Sequence, residues 1–158
     1  MKNMNLIGLD KKKSETLAAR LNELLANYQV FYTNVRGFHW NIKGEKFFEL
    51  HLKFEELYND LVVKIDDIAE RILTLGKTPA NTFTDYLSVS QIKEVSGLTD
   101  GRKAVENLLE SFRILLLRQR ELLELSGDAG DEGTNALMSD YIREQEKLVW
   151  MYAAFLSK

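Results

Sequence analysis

Over residues 47–75 the apolar side chains Leu50, Phe54, Leu57, Leu61, Ile65, Ile68, Ile72 and Leu75 recur at steps of three and four. That spacing is the core stripe of a long amphipathic helix. At about 100° per residue, His51, Glu55, Asp66 and Glu70 form a second stripe, roughly 130° around the helix from the first. A rise of about 1.5 Å per residue separates His51 from Asp66 by roughly 22 Å, so the two ends cannot share a metal ion within one chain. An antiparallel copy of the helix, packed across a two-fold axis, would bring the His51 end against the Asp66/Glu70 end. The stripe therefore reads as half of a metal site that another subunit completes. Tyr58, Val62 and Ala69 lie on the same stripe and predict that this face is buried.

The same periodicity predicts three more long helices. The first runs from an N-cap at Ser14 to about Trp40, with Leu17, Leu21, Leu24, Leu25, Tyr28, Phe31, Val35 and Phe38 on its apolar face. A short turn containing Gly44 follows. The helix over 47–75 is stopped by Gly76, with Pro79 just beyond. Residues 77–98 form a long connection with a short helical piece near 88–95. The third long helix spans about 100–125, and Val105, Leu108, Leu109, Phe112, Leu115, Leu116, Leu122 and Leu123 make its stripe. Residues 126–133 read as a Gly- and acid-rich turn. The last helix covers about 132–156, with Leu137, Tyr141, Leu148, Met151, Tyr152 and Phe155 inward. Connections that are short, long and short predict an all-α up-down-down-up bundle of four helices, with an extra short helix in its one long crossover. Residues 1–158 read as one domain, the first 13 as a short N-terminal extension.

Composition narrows the chemistry. The chain has no cysteine, which excludes disulfides, thiolate metal sites and thiol catalysis, and fits a reducing cytoplasm. Its N-terminus lacks a signal-peptide apolar region, and the longest aliphatic run, 114–117, is far too short to span a membrane. A net charge of −3 argues against a generally basic, nucleic-acid-binding surface. The only histidines are His39, near the end of the first helix, and His51, near the start of the second. The short turn between them lets both rings approach one spot. Imidazole with carboxylate suits iron, zinc or manganese rather than calcium or magnesium, and a sparse ligand set leaves positions open for redox chemistry. The competing reading is bland: a histidine beside Trp40 packing at an interface, and helical acids solvated at a surface. The third and fourth helices carry no inward Glu-x-x-His pair, and their predicted core is almost purely apolar. Both facts argue against a di-iron site inside the bundle.

The segment FHWNIKG at 38–44, followed by FFELHLKFEELYNDLVVKIDDIAERILTLG at 47–76, resembles the ferroxidase signature of the Dps family, the miniferritins. Two histidines stand twelve apart, an acid follows the second by four, and D-x-x-x-E-R completes the motif. The similarity runs on to KLVWMYAAFL at 147–156. It implies a ferritin-like fold, a hollow shell of twelve subunits, and Fe²⁺ oxidised at a di-iron site, preferably by hydrogen peroxide, then stored as ferric mineral. It further implies that His39, His51 and Glu55 from one subunit, with Asp66 and Glu70 from its two-fold mate, bind the iron, and that Trp40 stands beside the site. Many relatives have Asp where this chain has Glu55; the longer arm keeps the charge and alters the second iron position. The alternative reading is a nucleoid shell whose DNA contact matters more than its iron.

DNA-binding relatives usually grip phosphate with a long basic tail. Here the leader offers only Lys2, Lys11, Lys12 and Lys13, the last three flanked by Asp10 and Glu15, and twelve copies at −3 each carry about −36. The expectation is weak or absent DNA binding. Asp128, Asp131 and Glu132, with Asp140 two turns on, are the expected acidic pore near a three-fold axis, where acids would concentrate Fe²⁺. Complementing the dipole of the last helix is the other role open to them.

Overall fold

The computed structural model describes residues 2–158. Among them, five helices follow in order: α1 (Lys11–Asn41), α2 (Phe47–Thr74), α3 (Phe83–Val89), α4 (Gly101–Ala129) and α5 (Glu132–Leu156). α1 packs on α2, α4 on α5 and α1 on α4, while the short α3 lies against α1. This is the expected four-helix bundle with a helix-bearing crossover. The helix stripes meet as the core: Leu17, Leu21, Leu24, Phe31, Phe54, Leu61, Ile68, Phe112 and Leu115 are all at most 1% exposed. Each such side chain contributes about 1.5–3 kcal/mol relative to an exposed one.

The differences from expectation lie at helix ends. α1 starts at Lys11 because Asp10 caps it, its carboxylate accepting from the Lys13 N–H at 2.9 Å. Aspartate caps as well as serine does. Ser14 is instead buried inside the helix, and its hydroxyl accepts from the Asn5 amide at 3.0 Å. The Asn5 side-chain oxygen in turn accepts from the Ile7 and Leu9 N–H groups, so the extension is a compact hook. α3 occupies 83–89 rather than 88–95, because Thr82 caps the Asp85 N–H. The apolar steps at Ile92 and Val95 belong to an irregular, non-helical segment instead. That segment is pinned to α1 by Asn27, which accepts from the N–H groups of Gln91 and Ile92, and by Asn34, which bonds Lys93 and Val95. α4 runs four residues past its expected end, through Gly127, and stops at Gly130 in the left-handed conformation (φ 67°). The turn before α5 thus shrinks to Gly130 and Asp131.

The core of α4 and α5 is not purely apolar. Gln119 and Gln145 are at most 1% exposed and close a ring of hydrogen bonds with Tyr28. The Tyr28 hydroxyl donates to Gln119 Oε1 (2.5 Å), Gln119 Nε2 donates to Gln145 Oε1 (2.7 Å), and Gln145 Nε2 donates back to the Tyr28 oxygen (2.6 Å). Burial pushes the Tyr28 hydroxyl pKa well up, which keeps it a neutral donor. On α5, Met138 and Ile142 are buried, whereas Met151 is exposed. Lys64 of α2 is also buried, its ammonium 2.8 Å from both Asp60 and Glu144.

Candidate metal centre

His39 sits in the last turn of α1 and His51 in the second turn of α2. Their rings stack at 3.8 Å between centroids and 13° between planes. Each ring is tied to the other residue's backbone: His39 Nδ1 lies 2.6 Å from the His51 carbonyl oxygen, and His51 Nδ1 lies 2.7 Å from that of His39. A carbonyl oxygen only accepts, so both Nδ1 atoms carry a proton, and in the neutral imidazole each Nε2 then keeps its lone pair. That tautomer leaves Nε2 as the nitrogen able to ligate a metal, with the ring orientation set by the backbone ties. The bond also solves a local problem. α1 ends at Asn41, and the Lys43 N–H is turned away to Thr99, so the His39 carbonyl lacks its helical donor. His51 supplies one.

Aromatic rings brace the pair. Phe47 stacks on His51 at 4.9 Å, and Tyr58 meets His39 edge-on at 5.3 Å. Tyr32 stands edge-on to Tyr58 at 6.1 Å. Trp40 is 63% exposed, with the Arg36 guanidinium 5.0 Å from its ring. Glu55, one turn beyond His51, is half-buried. Asp66 and Glu70 lie much further along α2 and are exposed. Among the described residues of one chain, no three His, Asp or Glu side chains converge to hold a metal ion. The stripe expected to be buried is only partly so: Tyr58 and Ala69 are half-buried against the core, whereas Val62 is 43% exposed.

The acids of the α4–α5 turn divide into two kinds. Asp128 and Glu132 are exposed. Asp131 is 2% exposed and committed to other partners, because it caps α5 through the Thr134 N–H (3.0 Å) and pairs with Arg71 at 2.5 Å. Asp140 is exposed and bonded to Arg143 at 3.0 Å.

The chain matches the ferritin-like domain family over residues 18–158. It is 43% identical to the DNA protection during starvation protein of Porphyromonas gingivalis, over 98% of both chains. This chain belongs to the Dps family. Its fold is that of the Dps protein from Vibrio cholerae O1, described as a member of a broad superfamily of ferritin-like diiron-carboxylate proteins. That match has a TM-score of 0.97 and 61% identity, covering 98% of each chain. An uncharacterized protein of Haemophilus influenzae is 57% identical, over 94% of this chain and 92% of its own. No helix among the described residues of this Dps chain is long and apolar enough to cross a membrane.

Two side chains that the fold engages beside the candidate residues, Phe47 on His51 and Arg71 next to Glu70, were not singled out by the sequence. Phe47 was legible only as the first residue of α2, although its spacing of four from His51 allows the stack. Arg71 is the final letter of D-x-x-x-E-R, yet nothing in the sequence pairs it with Asp131, sixty residues away.

Proposed function

We propose that this Dps chain is a ferroxidase and iron store. His39, His51 and Glu55 of one subunit, with Asp66 and Glu70 of its two-fold mate, bind Fe²⁺ as substrate, and Trp40 borders the site. The observation that carries this reading is the reciprocal His39/His51 pair, whose Nδ1 atoms are both spent on backbone carbonyls, where α1 meets a helix α2 whose distant acids are exposed. Neutral imidazole suits Fe²⁺ and carboxylate suits Fe³⁺, so the donor set fits both ends of the oxidation. Two Fe²⁺ each give one electron to hydrogen peroxide. With two protons this yields two Fe³⁺ and two waters, and no hydroxyl radical is released. Twelve subunits enclose the ferric mineral, and the shell protects the cytoplasm from peroxide and iron together. DNA binding is weak or absent. Lys11, Lys12 and Lys13 form the first turn of α1 rather than a free arm, and the Lys13 ammonium is bound to the Asp128 carbonyl at 2.8 Å.

Mixed shells test the shared site. His51→Ala and Glu70→Ala chains each lose peroxide-driven iron oxidation alone. Co-assembled in equal amounts, they regain about a quarter of the sites, because a two-fold pair of unlike chains holds one intact site. No recovery in shells shown to be mixed would put all ligands in one chain. Light scattering is expected to give a twelve-subunit mass, and a gel shift over a salt series is expected to show no DNA complex at physiological salt.

A further inference from the structure

The Dps motif ends on Arg71, and its guanidinium does not face the outer stripe. It closes a triangle with the first turn of α5. Arg71 Nη2 donates to Asp131 Oδ1 (2.5 Å), Arg71 Nε donates to the Thr134 hydroxyl oxygen (2.9 Å), and that hydroxyl donates to Asp131 Oδ2 (2.5 Å). The Thr134 N–H also donates to Asp131 Oδ1 at 3.0 Å. Asp131 and Thr134 are at most 2% exposed. The planar guanidinium has room only because residue 133 is glycine, where a Cβ would stand 2.7 Å from Nη1 and 2.8 Å from Cζ and Nη2.

The neighbour of Arg71 in sequence is Glu70, with Asp66 one turn before it, and both are exposed. α2 ends at Thr74, so Glu70 stands near a terminus, where helices fray. Locking Arg71 inward fixes the rotation of this last stretch and so the direction in which Glu70 and Asp66 project. We infer that Arg71 is a positioning residue for the carboxylate half of the shared metal site, acting through the Arg71–Asp131–Thr134 clamp in the space left by Gly133. The inference rests on the shared-site reading above. It also gives Asp131 a task other than lining a cation route.

The test uses assembled shells and Co²⁺, a redox-inert probe followed by absorption. Arg71→Lys keeps the charge but loses the planar fork. Gly133→Ala removes no charge, and its Cβ pushes the guanidinium out of the clamp. Each variant is expected to weaken Co²⁺ binding roughly tenfold or more, as loss of an outer-shell partner does, in shells of unchanged mass. The decisive readout is complementation. Arg71→Lys chains mixed with His51→Ala chains should regain wild-type sites, because the intact histidine half of one meets the intact acid half of the other. Mixed with Glu70→Ala chains they should regain none. Wild-type affinity in both single variants, or rescue by both mixtures or by neither, overturns the clamp. The His51→Ala and Glu70→Ala mixture is the control, and its failure overturns the shared site and the clamp with it.

Discussion

Two regions of this Dps chain hold polar side chains against one another with opposite results. In the middle of the bundle, Tyr28, Gln119 and Gln145 bond in a closed ring, and each group both donates and accepts within it. At the α1–α2 edge, His39 and His51 also bond reciprocally, yet each spends only Nδ1 and keeps Nε2 in reserve. A saturated polar cluster holds a fold together, whereas one that leaves lone pairs unspent, on a rigid mount, binds. The bundle interior, where larger ferritin-like proteins place di-iron chemistry, is here closed on itself, and the proposed function puts the chemistry on the outer stripe of α2 instead.

The strongest test of that contrast is removal of the open lone pairs. His39→Ala with His51→Ala is expected to slow peroxide-driven Fe²⁺ oxidation by at least about 100-fold, beyond the range for loss of an outer-shell partner. Stopped-flow absorbance would measure it, and light scattering should find the shell intact. Oxidation near the wild-type rate would assign the chemistry elsewhere. Next in size is Asp66→Asn with Glu70→Gln. This pair keeps the imidazoles, so a first metal ion should still bind by calorimetry. Loss of the anionic ligands for Fe³⁺ should reduce oxidation by about 10–100-fold.

The saturated ring makes the opposite prediction. Tyr28→Phe leaves a donor on Gln145 and an acceptor on Gln119 buried and unpaired, at about 1–3 kcal/mol. Melting should fall by about 2–4 °C per kcal/mol for a chain of this size, with iron oxidation unchanged. Adding Gln119→Leu and Gln145→Leu removes all three partners and should recover most of that loss. A triple variant less stable than the single one would mean that the ring contributes more than mutual satisfaction.

How much of this was legible follows the same division. Apolar stripes at three- and four-residue steps identified the bundle, since side-chain period is local information. The histidine pair was legible too, because a short turn is enough to bring residues twelve apart together. The tie of each Nδ1 to the other's carbonyl was not, because it depends on where α1 ends and where the Lys43 N–H turns. Gln119 and Gln145 were invisible as core, since a glutamine at a stripe position reads as surface until its partner on another helix is known. Ser14 looks like the cap in sequence because Asp10 lies beyond three lysines that read as leader. Asp131 looked like its neighbours Asp128 and Glu132 because only the fold brings Arg71 to it.

Those three acids carry the smallest effect and repeat the comparison within five residues. Asp128 and Glu132 are exposed, so if they steer Fe²⁺ they do so at a distance and subject to screening by salt. Asp128→Asn with Glu132→Gln is expected to slow iron uptake severalfold at low ionic strength, where steering of a cation is strongest. The defect should shrink as Fe²⁺ is raised, and fade toward 1 M salt, where the screening length falls to about 3 Å. Asp131→Asn should behave differently. Its carboxylate is spent on Arg71 and on the Thr134 N–H and hydroxyl, so the variant should melt lower, and any loss of iron binding should persist at high salt. Uptake kinetics over a salt series, beside a melting curve, separate the two kinds of acid. If Asp131→Asn instead shows the salt-dependent uptake defect without a change in melting, its carboxylate lines the route, and the line between saturated and open groups would have to be redrawn at this turn.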